Sequence, residues 1–84
     1  MKVRLRMFAI LRERSGVSEM ELELAEGATV ADAIEEVGKR FASVSGLLPR
    51  TSATVNLEFT KPGVRLDDGD ELALIPPVSG GCGG

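Results

Sequence analysis

Residues 2–8 alternate. Val3, Leu5 and Met7 fall on one side of an extended chain and Lys2, Arg4 and Arg6 on the other, the period of two expected of a half-buried strand. Phe8 falls on the charged side. Ala9 to Arg14 suit a short helical turn closed by Ser15-Gly16. A second alternation follows at residues 19–24, with Met20, Leu22 and Leu24 against Glu19, Glu21 and Glu23. The two stretches read as an antiparallel pair that sets Arg4 and Arg6 near Glu21 and Glu23. Opposite charges across such a pair help to fix its register. The ladder reads as a solvated one, each contact contributing about a few tenths of a kcal/mol.

The period then changes. After a loop at Glu26-Gly27-Ala28, Thr29 is a good helix N-cap, with Asp32 in the capping-box position that Glu or Gln usually holds. Val30, Ala33, Ile34, Val37 and Phe41 recur at helical spacing and form one apolar stripe on a helix of about three turns. Asp32, Glu35, Glu36, Lys39 and Arg40 face water. Gly38 inside this helix costs roughly 1 kcal/mol relative to alanine and is expected to mark a close approach to the sheet.

Residues 42–51 are irregular, with Leu47 and Leu48 expected to plug the end of the core. Ser52 to Phe59 alternates as a third strand, Ala53, Val55 and Leu57 against Thr54, Asn56 and Glu58. Lys61-Pro62-Gly63 is a turn and Val64 to Leu66 a short edge piece. Asp67-Asp68-Gly69-Asp70 is a strong turn signal. Glu71 to Ile75 is the last strand, stopped by Pro76-Pro77, neither of which can donate to a ladder. Residues 79–84, Ser-Gly-Gly-Cys-Gly-Gly, are expected to hold no fixed structure alone.

Only one long amphipathic stripe exists, so one main helix must cover one face of a mixed sheet of four to five strands. The first and last strands are candidates for a central parallel pair. This is an α+β chain in the β-grasp arrangement, the fold of ubiquitin, with a domain over residues 1–78 and a flexible Gly-rich tail over 79–84.

Composition narrows the function. The chain has 84 residues, which allows one domain. No apolar run approaches the about 20 residues needed to span a bilayer. The alternating start lacks the apolar stretch of a signal peptide, so a cytoplasmic location is expected. The net charge is −3, from 10 basic and 13 acidic side chains, and the basic residues are scattered, which argues against nucleic acid as a partner. There is no His, Tyr or Trp and one cysteine, Cys82. A Ser-His-Asp or Cys-His arrangement cannot be built, the commonest transition-metal ligand is missing, and no metal site is expected. The chain does not read as an enzyme on its own.

The stretch Leu66-Asp67-Asp68-Gly69-Asp70-Glu71-Leu72-Ala73-Leu74-Ile75-Pro76-Pro77-Val78-Ser79-Gly80-Gly81 resembles the small subunit of molybdopterin synthase, the MoaD family, and the related ThiS-like ubiquitin-fold sulfur carriers. Met7-Phe8-Ala9-Ile10-Leu11-Arg12-Glu13 is similar to that family's first strand and following turn, and Asn56 sits where the family commonly has Asn. The resemblance implies a sulfur carrier. A partner adenylating enzyme uses ATP to activate the C-terminal carboxylate, sulfur transfer gives a thiocarboxylate, and the carrier docks on the large subunit of molybdopterin synthase to deliver it. The carrier itself binds no cofactor.

The residue types suit that chemistry. A carboxylate is a poor acyl donor until adenylation supplies a leaving group. Glycines lack Cβ, so Gly80 and Gly83 let a tail thread a narrow channel. Pro76-Pro77 stiffens its base, and six residues past Val78 span up to ~20 Å. The family ends at Gly-Gly, here Gly80-Gly81, but this chain continues with Cys82-Gly83-Gly84. Either Gly84 is the reactive end, or a protease removes the last three residues and leaves Gly81, as a metalloprotease does in some carriers of this superfamily. Cys82 is a sulfur-handling or disulfide-forming thiol, or a tail residue without a role. Phe8 and Phe59 are candidate docking anchors, alongside Pro76 and Pro77, with filling of the core as the alternative for each ring. Carriers for thiazole or thiolated-tRNA synthesis, and ubiquitin-like modifiers joined to lysines, remain alternatives.

Overall fold

The computed structural model describes residues 1–77. Within them the order is β1 (Lys2–Met7), α1 (Ala9–Ser15), β2 (Glu19–Glu23), α2 (Val30–Arg40), two 3₁₀ turns (Ala42–Val44 and Leu48–Arg50), β3 (Ser52–Val55), β4 (Glu58–Phe59) and β5 (Glu71–Ile75). The strands form one mixed sheet in the order β2-β1-β5-β3-β4. β1 and β5 are its parallel pair, and the other neighbours are antiparallel. This is a β-grasp fold. The expected domain limit at residue 78 and the tail at 79–84 lie outside the described residues. Among those described, no helix is long and apolar enough to cross a membrane.

The apolar face of the sheet is the alternation read from the sequence. Val3, Leu5 and Met7 of β1, Leu22 of β2, and Leu72 and Leu74 of β5 are almost wholly buried against Val30, Ala33 and Val37 of α2. Each such leucine contributes roughly 1.5–3 kcal/mol by leaving water. The capping box is complete: Thr29 Oγ1 accepts from the Asp32 N–H at 3.2 Å, and Asp32 Oδ2 accepts from the Thr29 N–H at 3.0 Å. α1 buries Leu11 and stops at Gly16, which is left-handed.

Several expectations change. Gly38 does not approach the sheet. A Cβ built there would lie 3.2 Å from Leu48 Cδ1, so the small residue admits the second 3₁₀ turn against α2. Leu48 is buried as expected, together with Val44, whereas Leu47 is only partly buried. Phe41 caps α2 and packs partly buried against the core. The Val64–Leu66 piece does not join the sheet. It brackets the entry to α2, with the Val30 N–H on Val64 O at 2.9 Å and the Leu66 N–H on Ala28 O at 2.8 Å.

The largest correction concerns Ser52 to Phe59, which is a hairpin rather than one strand. Val55 pairs with Glu58 and Thr54 with Phe59, leaving a two-residue loop, Asn56-Leu57, with φ of 52° and 73°. Positive φ at both loop residues is the signature of the type I′ turn, whose usual sequence is Asn-Gly. Leucine in that second position hides the turn. It also costs about 1–2 kcal/mol, because its Cβ crowds the carbonyl oxygen in left-handed backbone.

The β1–β2 register also differs in detail. Lys2 lies opposite Glu23, Arg4 opposite Glu21 and Arg6 opposite Glu19. The nearest charges are diagonal or reach across the parallel pair: Arg4 to Glu19 at 3.0 Å, Lys2 to Glu21 at 4.0 Å, and Arg6 to Glu71 at 3.0 Å.

Candidate functional site

α2 covers one face of the sheet, and the register builds the other. Paired residues project to the same side, so Glu19, Arg6, Ala73, Thr54 and Phe59 form one row across five strands. Ser52 pairs with Ile75 in the next row on that face. Phe8 follows Met7, which pairs with Leu74, so Phe8 continues β1 beside Ile75. The open face thus brings together the last residue of β5 and both rings singled out in the sequence. Neither ring belongs to the buried core.

Phe8 is half-buried. The Arg6 guanidinium carbon lies 5.2 Å from its ring centroid, within cation–π range, and the same guanidinium bonds Glu71 Oε2 at 3.0 Å. Phe8 is also the residue before α1, and its carbonyl accepts from the Leu11 N–H at 3.1 Å. Phe59 is the more exposed ring, at 78%. Beside it, Leu57 is 83% and Val64 43% exposed. Phe59 and Val64 line one shallow depression edged by Glu58, Asp67 and Asp70.

β5 is fastened firmly at its start. The Gly69 N–H donates to Lys2 O at 2.7 Å and the Arg4 N–H to Asp70 O at 2.8 Å. Asp68 Oδ1 accepts from the Lys2 N–H at 2.7 Å. Gly69 has φ of 89°, which its lack of Cβ permits. Asn56 ties the hairpin to this turn: its Nδ2 donates to Asp70 Oδ1 at 3.0 Å, and its Oδ1 accepts from the Glu71 N–H at 3.1 Å. From that anchor β5 runs between β1 and β3 to Ile75. Pro76, half-buried, and Pro77, exposed, follow.

Gly80, Gly81, Gly83 and Gly84, and Cys82 with them, lie outside the described residues. Among the described residues, no group of three or more His, Cys, Asp or Glu side chains is placed to hold a metal. What the described open face offers is apolar surface at Phe8, Ile75 and Phe59. Leu57, at the hairpin tip, and Val64, beside the entry to α2, flank Phe59 and were not singled out in the sequence. The available signal was Asn56 followed three residues later by Phe59, a hairpin disguised by the missing glycine.

The comparisons agree with one another. The ThiS family matches residues 5–81. The molybdopterin synthase sulfur carrier subunit of Chlamydomonas reinhardtii is 34% identical over 83 residues, covering 96% of this chain and 100% of the relative. A putative molybdopterin converting factor subunit 1 from Pyrococcus furiosus superposes with a TM-score of 0.83 at 35% identity, over 92% of this chain and 98% of that one. The crystal structure of SAMP1 from Haloferax volcanii superposes with a TM-score of 0.86 at 29% identity, over 96% of this chain and 100% of that one.

Proposed function

The chain belongs to the ThiS family, and on that premise we propose that it is the sulfur carrier subunit of a molybdopterin synthase. The observation that carries this reading is the near full-length similarity to a carrier subunit, 96% of this chain against 100% of the relative. In this reading the terminal glycine, Gly84 or, after removal of the last three residues by a protease, Gly81, is adenylated by a partner enzyme at the expense of ATP. Sulfur replaces the adenylate to give a thiocarboxylate, a good nucleophile at neutral pH. The chain is a carrier and no enzyme on its own, it binds no cofactor, and it works in the cytoplasm.

The geometry supports a division of labour. The clamped start of β5 holds the base of the tail rigidly, and the face carrying Phe8, Ile75 and Phe59 docks on the large subunit while the tail enters its active site. Rigid anchoring limits the orientations lost on docking and so its entropic cost.

Reconstituted sulfur transfer tests the proposal. Full-length carrier, adenylating enzyme, ATP, a sulfur source and the large subunit are expected to convert precursor to molybdopterin. A chain lacking residues 79–84 is expected to fold and to transfer nothing. Transfer by the shortened chain contradicts the proposal.

A second reading is a protein modifier joined to lysines, favoured by the likeness to SAMP1, since the Haloferax volcanii protein is named small archaeal modifier protein 1. Isopeptide remnants of this chain on other proteins would support it. Carrier service to thiazole or tRNA thiolation differs only in the copurifying partner.

A further inference from the structure

At the strained hairpin tip Asn56 bonds the turn before β5, whereas the Leu57 side chain takes no part in the buried core. Leu57 holds φ of 73° where glycine is relaxed, and its side chain is 83% exposed. Two unfavourable features, a left-handed leucine and an apolar side chain in water, coincide in one residue that the core does not use. Backbone outliers of this kind concentrate where a surface is shaped for binding. The non-glycine residues with positive φ among those described are Ala9, Asn56 and Leu57. They adjoin Phe8 on one side of the open face and lead into Phe59 on the other.

We propose that Leu57 is a specificity-determining docking residue, held out by the Asn56 lock so that it enters an apolar hollow rimmed by basic side chains on the protein that receives the tail. The inference rests on the carrier reading and names a contact beyond the faces of Phe8, Ile75 and Phe59. Two observations choose that occupant. The patch is continuous with the face that ends at the tail exit: the Glu71 row beside the turn lies about 13 Å along β5 from Ile75, well within the footprint of one protein interface. Carboxylates flank the tip: Glu58 follows Leu57 in the chain, and Asp70 Oδ1 accepts from Asn56 Nδ2 at 3.0 Å. A second copy of this chain would set acidic rim against acidic rim, whereas a basic rim is complementary.

The test is calorimetric titration of the full chain into the molybdopterin synthase large subunit of the same host, with thermal unfolding of each carrier alone. Leu57→Gly and Leu57→Asn remove the apolar group while keeping residues that tolerate positive φ. Both are expected to bind about tenfold more weakly, with unfolding midpoints at or above wild type. Leu57→Met is expected to retain binding, and added salt to weaken it. Wild-type affinity in Leu57→Gly and Leu57→Asn overturns the proposal and leaves the carrier reading standing. So does self-association of the carrier that the substitutions abolish without changing the titration. A wild-type chain that does not bind the large subunit overturns both.

Discussion

On the β1–β2 side of the open face, Lys2, Arg4 and Arg6 each reach a carboxylate, whereas at the β3–β4 edge Phe59, the loop residue Leu57 and, beside the entry to α2, Val64 stand exposed. The same sheet is finished in two ways. The charged half is satisfied within the chain, and its exposed ion pairs contribute about 0–1 kcal/mol each. Their main effect is to match a basic strand to an acidic one, while the buried alternation on the other face opposes a one-residue slip. The apolar half is unsatisfied within the described chain. It gains from leaving water only when another surface covers it. The contrast separates residues satisfied within the chain from residues that the proposed function assigns to docking.

The largest effect that sharpens this contrast is on binding. Phe59→Ser is expected to weaken the complex with the large subunit by about 30-fold. Stability should stay within about 0.5 kcal/mol, because the ring is solvated in the free chain. Unfolding at a clearly lower temperature would assign the ring to the fold instead. Next comes Asn56→Ala, which removes both side-chain bonds to Asp70 and Glu71 and puts alanine at φ of 52°. Urea denaturation should show a loss of about 1–2 kcal/mol, partly restored in Asn56→Gly. The smallest effect belongs to the charged half. Arg4→Ala should cost less than about 0.5 kcal/mol and leave docking intact. A large loss of affinity there would move the interface onto the charged half.

Much of the fold was legible because its signals are local. The alternation of Val3, Leu5 and Met7, the helical stripe from Val30 and the Thr29–Asp32 box need only neighbours along the chain. What was illegible depended on distant partners or on a masked turn. Arg6 bonds Glu71 because β1 and β5 are parallel neighbours 65 positions apart, and spacing along the chain cannot give that pair. Gly38 faces Leu48, not the sheet, because the 3₁₀ segment folds back on α2. The hairpin is hidden in the sequence because Leu57 stands where glycine is the usual signal and the alternation continues through it. At the site, the sequence singles out Phe8 and Phe59 as docking candidates. Their company, Ile75, Leu57 and Val64, emerged only from the register and the exposure of the folded chain.

The central claim is that the tail's terminal glycine carries sulfur, and intact mass spectrometry of the protein from its own host tests it most directly. The account predicts a chain ending at Gly81 or Gly84 in which one carboxylate oxygen is replaced by sulfur, a species that disappears when the adenylating enzyme is removed. A chain that keeps both oxygens at either end while molybdopterin synthesis proceeds would contradict it.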